Sequence, residues 1–243
     1  MAEGGGVMPI TPTNANRFHV WRLPAKGWRN RYVSFWDCGQ GRPNGDFDSG
    51  GVLDLHTGEV VAMAYGRYGA ETSVPLAVLL AAYYNNALLA WDATGIGAEW
   101  RPLLQRSNYP NVYARYRIDK QVLDPYSYGH IWTRQIKSDA CSILRNNIER
   151  RQMLVPESEF YNEQQYFSYQ DEGDANPEAS TGFHDDVVMM LAGLSYIGER
   201  APRPTPETPA PNPFTDNRKI DLKKMMAKAR KGDDYATKLA ESM

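Results

Sequence analysis

Residues 31–61, RYVSFWDCGQGRPNGDFDSGGVLDLHTGEVV, constrain the fold more than any other stretch. Tyr32 to Trp36 form a short, aromatic-rich apolar run of the kind that makes a buried strand, and the run stops on an acid, Asp37. A loop of Gly, Pro and Asn carrying Asp46 and Asp48 follows, and Gly51 to His56 resumes as a second strand. Thr57-Gly58 supplies turn residues, and Glu59 to Ala64 closes a hairpin as a third strand. A carboxylate at the end of a central strand faces the crevice where open α/β sheets hold their ligands.

A second unit repeats that ending. Thr72 or Ser73 can cap a helix through the apolar run Leu76 to Tyr84, with Pro75 tolerated in its first turn. Asn85-Asn86 stops the helix, and Ala87 to Trp91 reads as a buried strand ending on Asp92. Thr94 to Gly97 then turns into a helix near Ala98 to Arg106. Strand, helix and strand in this order imply a parallel strand pair. The expected sheet is therefore mixed, its first three strands antiparallel and later strands parallel.

Val112 to Tyr116 reads as another short strand. Ile136, Ala140, Ile143, Leu144 and Ile148 repeat at helical spacing and mark one amphipathic helix. Met153 to Val155 reads as an edge strand stopped by Pro156, Glu157 to Tyr169 as a helix, and Gln170 to Thr181 as a polar loop. His184 to Ile197 is the last helix of the domain. Residues 1–30 carry Gly4 to Gly6 and no clear period, and read as an N-terminal linker or extension before a domain at 31–200. A Pro-rich linker at 201–216 and a basic tail at 217–243 complete the expected organisation.

Two cysteines, Cys38 and Cys141, make neither a disulfide framework nor a zinc site, which fits a reducing cytosolic setting. The four histidines show no metal-ligand spacing. No apolar run approaches the ~20 residues of a membrane span, and the first residues lack the basic and apolar regions of a signal peptide. Residues 202–243 hold nine Lys/Arg against six Asp/Glu, which leaves the body of the chain near −5 out of the net −2. An acidic body engages nucleic acid only if its cations gather on one face and bound metal offsets the carboxylates.

The final helix carries the strongest physical hint of a site. FHDDVVMMLAGLSYI is apolar on nearly every face after Asp186, so two adjacent acids stand at the mouth of a buried helix. Desolvated and unpaired, they would be costly there. In the plainer reading Asp185 caps the helix and Asp186 favours its dipole. Asp37 and Asp92 can each be read as a turn residue after a strand, and Asp46 and Asp48 as solvated loop acids. Taken together, two strands that should lie parallel and one buried helix each present Asp. Clustered carboxylates need neutralising, and Mg²⁺ or Mn²⁺ is the oxygen-seeking ion that suits them. Two such ions can activate water and steady the leaving oxygen of a phosphodiester, with no His, Cys or Ser nucleophile needed.

The first strand with Asp37, the hairpin FDSGGVLDLHTGEVVA, the WDATGIG segment and the closing FHDDVVMMLAGLSYI resemble the nuclease domain of the phage large terminase subunit, which has an RNase H-like fold. The resemblance runs from about Arg31 to Gly198 and includes KSDACSILRNNIERRQMLVPESEFYNEQQYF before the final acids. EGGGVMP is similar to the segment that joins the family's motor to its nuclease. The resemblance implies an α/β, RNase H-like domain with helices on both sheet faces. It implies a metal-dependent DNA endonuclease of low sequence specificity that works in the cytoplasm of an infected bacterial host. Asp37 would be the first ligand, bridging two Mg²⁺ or Mn²⁺ ions. Asp92 would take the place of the second acid, where many members have Glu. Asp186 would be the closing ligand, with Asp185 auxiliary to it and Asp48 an accessory acid, while His184 would orient or pack. The implied partners are double-stranded DNA, an ATPase motor domain, the portal and the small terminase subunit. No phosphate-cradling G-x-x-x-x-G-K-[ST] occurs, so the motor is expected elsewhere.

Candidate phosphate contacts are Arg115, Arg117, Lys120, Arg134 and Lys137. Arg218 to Lys231, with seven Lys/Arg and one acid, reads either as a tethered basic helix or as a solvated tail. Three other classes compete with the terminase reading: a resolvase- or integrase-type nuclease of the same fold, a non-catalytic DNA- or partner-binding module, and an actin-like or sugar-kinase-like ATP-binding fold. The last lacks a second Gly-rich phosphate loop.

Overall fold

Every residue from Tyr32 to Trp36 is buried, as a strand must be when helices cover both faces of its sheet. The computed structural model describes residues 17–39, 41, 45–115, 127–169, 177–180 and 183–207. Contacts divide the chain after Pro206, and the first unit holds all the strands and helices named below.

Five strands form the main sheet: β1 (Arg17–Val20), β3 (Tyr32–Asp37), β4 (Asp48–Asp54), β5 (Glu59–Gly66) and β6 (Leu88–Trp91), in the order β1-β5-β4-β3-β6. β3, β4 and β5 are antiparallel neighbours, and β6 lies parallel to β3 with Trp36 opposite Trp91. The expected mixed sheet is the one observed. The helix between β5 and β6 is α1 (Ala70–Tyr83), which starts earlier than Thr72 because Gly69 takes the cap position at φ 69, a left-handed geometry open to glycine. After Asp92 the chain makes a 3-10 turn at Gly95–Glu99 and then α2 (Trp100–Ser107).

The pleat sorts the core into two layers. Val33 and Phe35 face α5 (Asp186–Arg200) and α3 (Arg134–Glu149), packing with Val187, Met190, Leu191, Leu194, Ala140 and Leu144. Tyr32 and Trp36 point the other way, into Val74, Ala77 and Leu80 of α1 and the indoles of Trp91 and Trp100. Each buried Val, Met, Leu and Ile side chain of α5 contributes roughly 1.5–3 kcal/mol, so this helix is tied firmly to the sheet. Its approach is close: a Cβ on Gly193 would overlap the Phe35 ring. α3 begins where its sequence period does, with the Thr133 hydroxyl accepting from the Ile136 N–H at 3.2 Å.

Several boundaries differ from the sequence expectation. Residues 17–30 are not linker: β1 pairs with β5, and β2 (Trp28–Arg29) pairs with β9 (Thr205–Pro206). These strands are too short to show a period of their own and exist through their partners. β9 likewise places Thr205–Pro206 of the expected Pro-rich linker on the folded part. The helix expected over Glu157 to Tyr169 stops early, as α4 (Ser158–Gln164), and gives way to β7 (Phe167–Tyr169), paired with β8 (Pro177–Ala179). Part of the expected polar loop is thus a strand. Val112 and Leu154 make single parallel bridges, to Leu89 and Glu59, rather than full strands. Residues 217–243 lie outside the described residues.

Candidate metal centre

Parallel pairing of β3 and β6 carries two acids to one sheet edge. Asp37 ends β3, Asp92 follows β6, and the Asp92 N–H donates to the Trp36 carbonyl at 2.8 Å. The N-terminus of α5 meets this edge, because Phe35 and Gly193 lock helix to strand. Asp185 and Asp186 therefore reach the place where β3 ends.

Electrostatics records the convergence. The half-buried Asp37 carboxyl is held well above the usual carboxylate range, first by loss of hydration and then by the charges of Asp92, Asp186 and Asp185, with Lys137 opposing. Burial pushes Asp186 up to about 7, against the pull of the Phe47 N–H and with the charges of Asp46, Asp185 and Asp48 adding to it. Asp92 is raised by burial too, while the Thr94 N–H (2.9 Å) and hydroxyl (2.7 and 2.9 Å) hold its carboxylate in place. Carboxyls this poorly compensated are what a multivalent cation stabilises.

The other sequence candidates fall in distinct places. Asp48 is fully buried and accepts from the backbone N–H groups of Gly39 (3.3 Å), Tyr68 (2.9 Å) and Gly69 (3.1 Å), so it ties together loops that flank the acids. Lys137, expected on a phosphate face, turns toward the acids, its Nζ 3.9 Å from Asp185 Oδ2. Arg134 stands on the exposed first turn of α3, and Arg115 donates to the Ser127 carbonyl at 3.2 Å. Arg117 and Lys120 lie outside the described residues. The thiol of Cys38 is held well above its usual range by burial and by Asp37, Asp92 and Asp48, and burial lifts that of Cys141 to about 11. Neither is a thiolate nucleophile at neutral pH.

A second group is anchored by the loop before β4. The Phe47 ring stacks on Tyr65 at 4.5 Å and lies under the Arg67 guanidinium, whose Nε donates to the Gly45 carbonyl. That pinning brings the Phe47 N–H to Asp186 Oδ2 at 3.3 Å. Ligand atoms of Asp46, His184 and Asp186 all lie within 4.8 Å of one another, the one such trio among the described residues. His184 Nδ1 sits 3.4 Å from Asp186 Oδ2, and its ring packs edge-on against Phe47. Asp46 read as a solvated turn acid, and nothing in its local sequence signals that the loop folds back onto Asp186. Asp186 thus belongs to both groups. This oxygen-rich donor set, with one imidazole at its rim, fits a hard divalent cation.

No family model matches this sequence, and no curated protein matches it. Solved structures do. The large terminase nuclease of the thermophilic phage G20c with bound magnesium is 23% identical, with a TM-score of 0.58 over 74% of this chain and 86% of that one. The same nuclease with bound zinc gives 20% identity and a TM-score of 0.54, over 74% and 86%. The large terminase nuclease domain of Thermus phage P74-26 gives 22% identity and a TM-score of 0.53, over 74% and 84%. At these identities the likeness is one of fold, and the fold is RNase H-like.

Proposed function

We propose that this domain, folded like the phage large terminase nucleases, is a metal-dependent DNA endonuclease of low sequence specificity and the cutting domain of a viral DNA-packaging terminase. The observation that carries the reading is the meeting of Asp37 and Asp92, from neighbouring parallel strands, with Asp185 and Asp186 at the head of a buried helix. Asp37, Asp92, Asp185 and Asp186 would hold Mg²⁺ or Mn²⁺, two ions in all, with Asp46 and His184 beside Asp186 at the rim. Two divalent ions, when bound, supply a hydroxide at neutral pH and charge stabilisation for the leaving oxygen of a phosphodiester.

The chain's own residues set the geometry for that chemistry. Thr94 fixes both oxygens of Asp92, and the Phe47 N–H orients Asp186. Lys137 places one positive charge against Asp185 and moderates repulsion among the acids. Arg134 and Arg115, with Arg117 and Lys120, would hold the phosphate backbone of double-stranded DNA without reading its sequence. Translocation falls to an ATPase motor domain, and the portal and small terminase subunit would bring the DNA to the cutting site.

Incubating supercoiled plasmid and a four-way junction with the full chain in Mg²⁺, Mn²⁺ or EDTA tests the reading. Nicking and linearisation of plain duplex that needs metal is the expected result. Cleavage confined to junctions would assign the domain to a resolvase type, and folded protein that cuts neither substrate in any metal would contradict a nuclease.

A further inference from the structure

The first amide groups of a helix need acceptors, and an Asp at the cap position normally supplies one from its own side chain to the second or third residue. Asp185 occupies that position for α5, yet its side chain makes no capping hydrogen bond. The acceptor comes instead from α4. Glu163 Oε2 receives the N–H groups of Val187 at 2.8 Å and Val188 at 2.9 Å, the second and third residues of the helix. Glu163 is only 4% exposed, so this contact is built into the packing of α4 against α5. Meanwhile Asp185 points elsewhere, with its Oδ2 3.9 Å from Lys137 and its charge felt at Asp37.

We infer that Glu163 is a positioning residue: by capping α5 from a neighbouring helix, it releases the Asp185 carboxylate from capping and leaves it facing Asp37 and Lys137. The inference rests on the nuclease reading above, since it gives Asp185 a metal to serve. Without Glu163, the two amides lose their acceptor in a buried setting, and Asp185 stands at the position whose side chain ordinarily accepts from them. Rotation of Asp185 onto Val187 and Val188 would satisfy them and draw a ligand out of the centre. A cap whose work is only structural would behave differently, lowering stability and leaving the centre's affinity alone.

The test is calorimetric titration of the full chain with Mn²⁺, alongside thermal melting, for wild type, Glu163→Gln, Glu163→Asp and Glu163→Ala. The amide oxygen of Gln still accepts both N–H groups, so Mn²⁺ affinity should stay within about twofold of wild type, whereas Ala should weaken it about tenfold or more, as loss of groups that orient ligands does. Glu163→Asp, too short to reach both amides, should fall between them and serves if Ala does not fold. Combining Glu163→Ala or Glu163→Asp with Asp185→Asn should weaken binding no further than the worse single change, because both act through one carboxylate. A lowered melting temperature with wild-type Mn²⁺ affinity in the Ala or Asp variant would overturn the positioning role, as would additive losses in the double variant. A wild type that binds no Mn²⁺ would overturn the nuclease reading and this role together.

Discussion

The Asp92 N–H donates to the carbonyl of Trp36, the residue just before Asp37, at 2.8 Å. This bond fixes the two acids at the same edge of the sheet, one from each of two parallel strands. A slip of one residue would move Asp37 to the other face of the sheet, so the core that sets the register also sets the site. Trp36 and Phe35, on opposite faces and fully buried, hold that register.

Stability without metal should fall as pH rises. Asp186 titrates near 7 in the folded chain and near its ordinary 3.8 when unfolded. Between these values the folded chain keeps a proton that the unfolded chain has released, so stability is greatest at the acidic end and declines through the window, by up to about 1.4 kcal/mol per pH unit for one such group. Asp37, also raised, adds in the same direction. Melting curves in EDTA should shift down from pH 5 to 7.5, Asp186→Asn should flatten the trend, and Mn²⁺ should restore more stability at pH 8 than at pH 5.5. A melting temperature in EDTA that climbs over this range would contradict the burial of these acids.

Thr94→Val should impair cutting without unfolding the chain. It removes a hydroxyl that lies 2.7 and 2.9 Å from the Asp92 oxygens and keeps the shape of the side chain. Hydrogen bonds to charged groups contribute about 1.5–3 kcal/mol, so turnover should drop about tenfold or more. Single-turnover rates on plasmid would show it. Unchanged rates would mean that Asp92 needs no such support.

Gly193→Ala should cost stability. Its Cβ would meet the Phe35 ring inside the close approach of α5 to β3, and overpacking of this sort costs about 1–3 kcal/mol. Urea denaturation would report the loss. The variant that still folds should also cut more slowly, because the helix that carries Asp185 and Asp186 is pushed off the sheet.

Arg31→Ala should destabilise the fold and spare the site. Arg31 grips Asp54 through Nε at 3.0 and 2.9 Å and Nη2 at 2.7 Å, with both side chains mostly buried. Removing one partner of such a pair leaves a buried charge and costs about 3 kcal/mol. Asp54 closes β4 at the end opposite Asp48, so Mn²⁺ affinity should be unaffected while the urea midpoint falls.

The site's framework was legible in the sequence wherever local pattern and topology agree. The run Tyr32 to Trp36, the Thr57-Gly58 turn, the strand-helix-strand unit to Asp92 and the apolar helix after Asp186 all carry their own periods and stops. What escaped depends on contacts across the chain. β1, β2 and β9 are short segments that become strands only by pairing. The end of α4 is marked by no Gly or Pro, and the switch to β7 comes from pairing with β8. Asp185 sits where a capping residue belongs, and only the fold reveals that Glu163 does the capping. Asp46 reaches Asp186 because Tyr65 and Arg67 pin the intervening Phe47, a relation invisible in a Gly- and Pro-rich loop.

Plasmid cleavage by wild type, Asp37→Ala and Asp186→Asn, in Mn²⁺ and in EDTA, tests the carboxylate centre most directly. Metal-dependent nicking and linearisation by wild type, abolished in both variants while their melting curves show a folded chain, is the predicted result. Cleavage that survives in both folded variants would contradict the assignment of these acids.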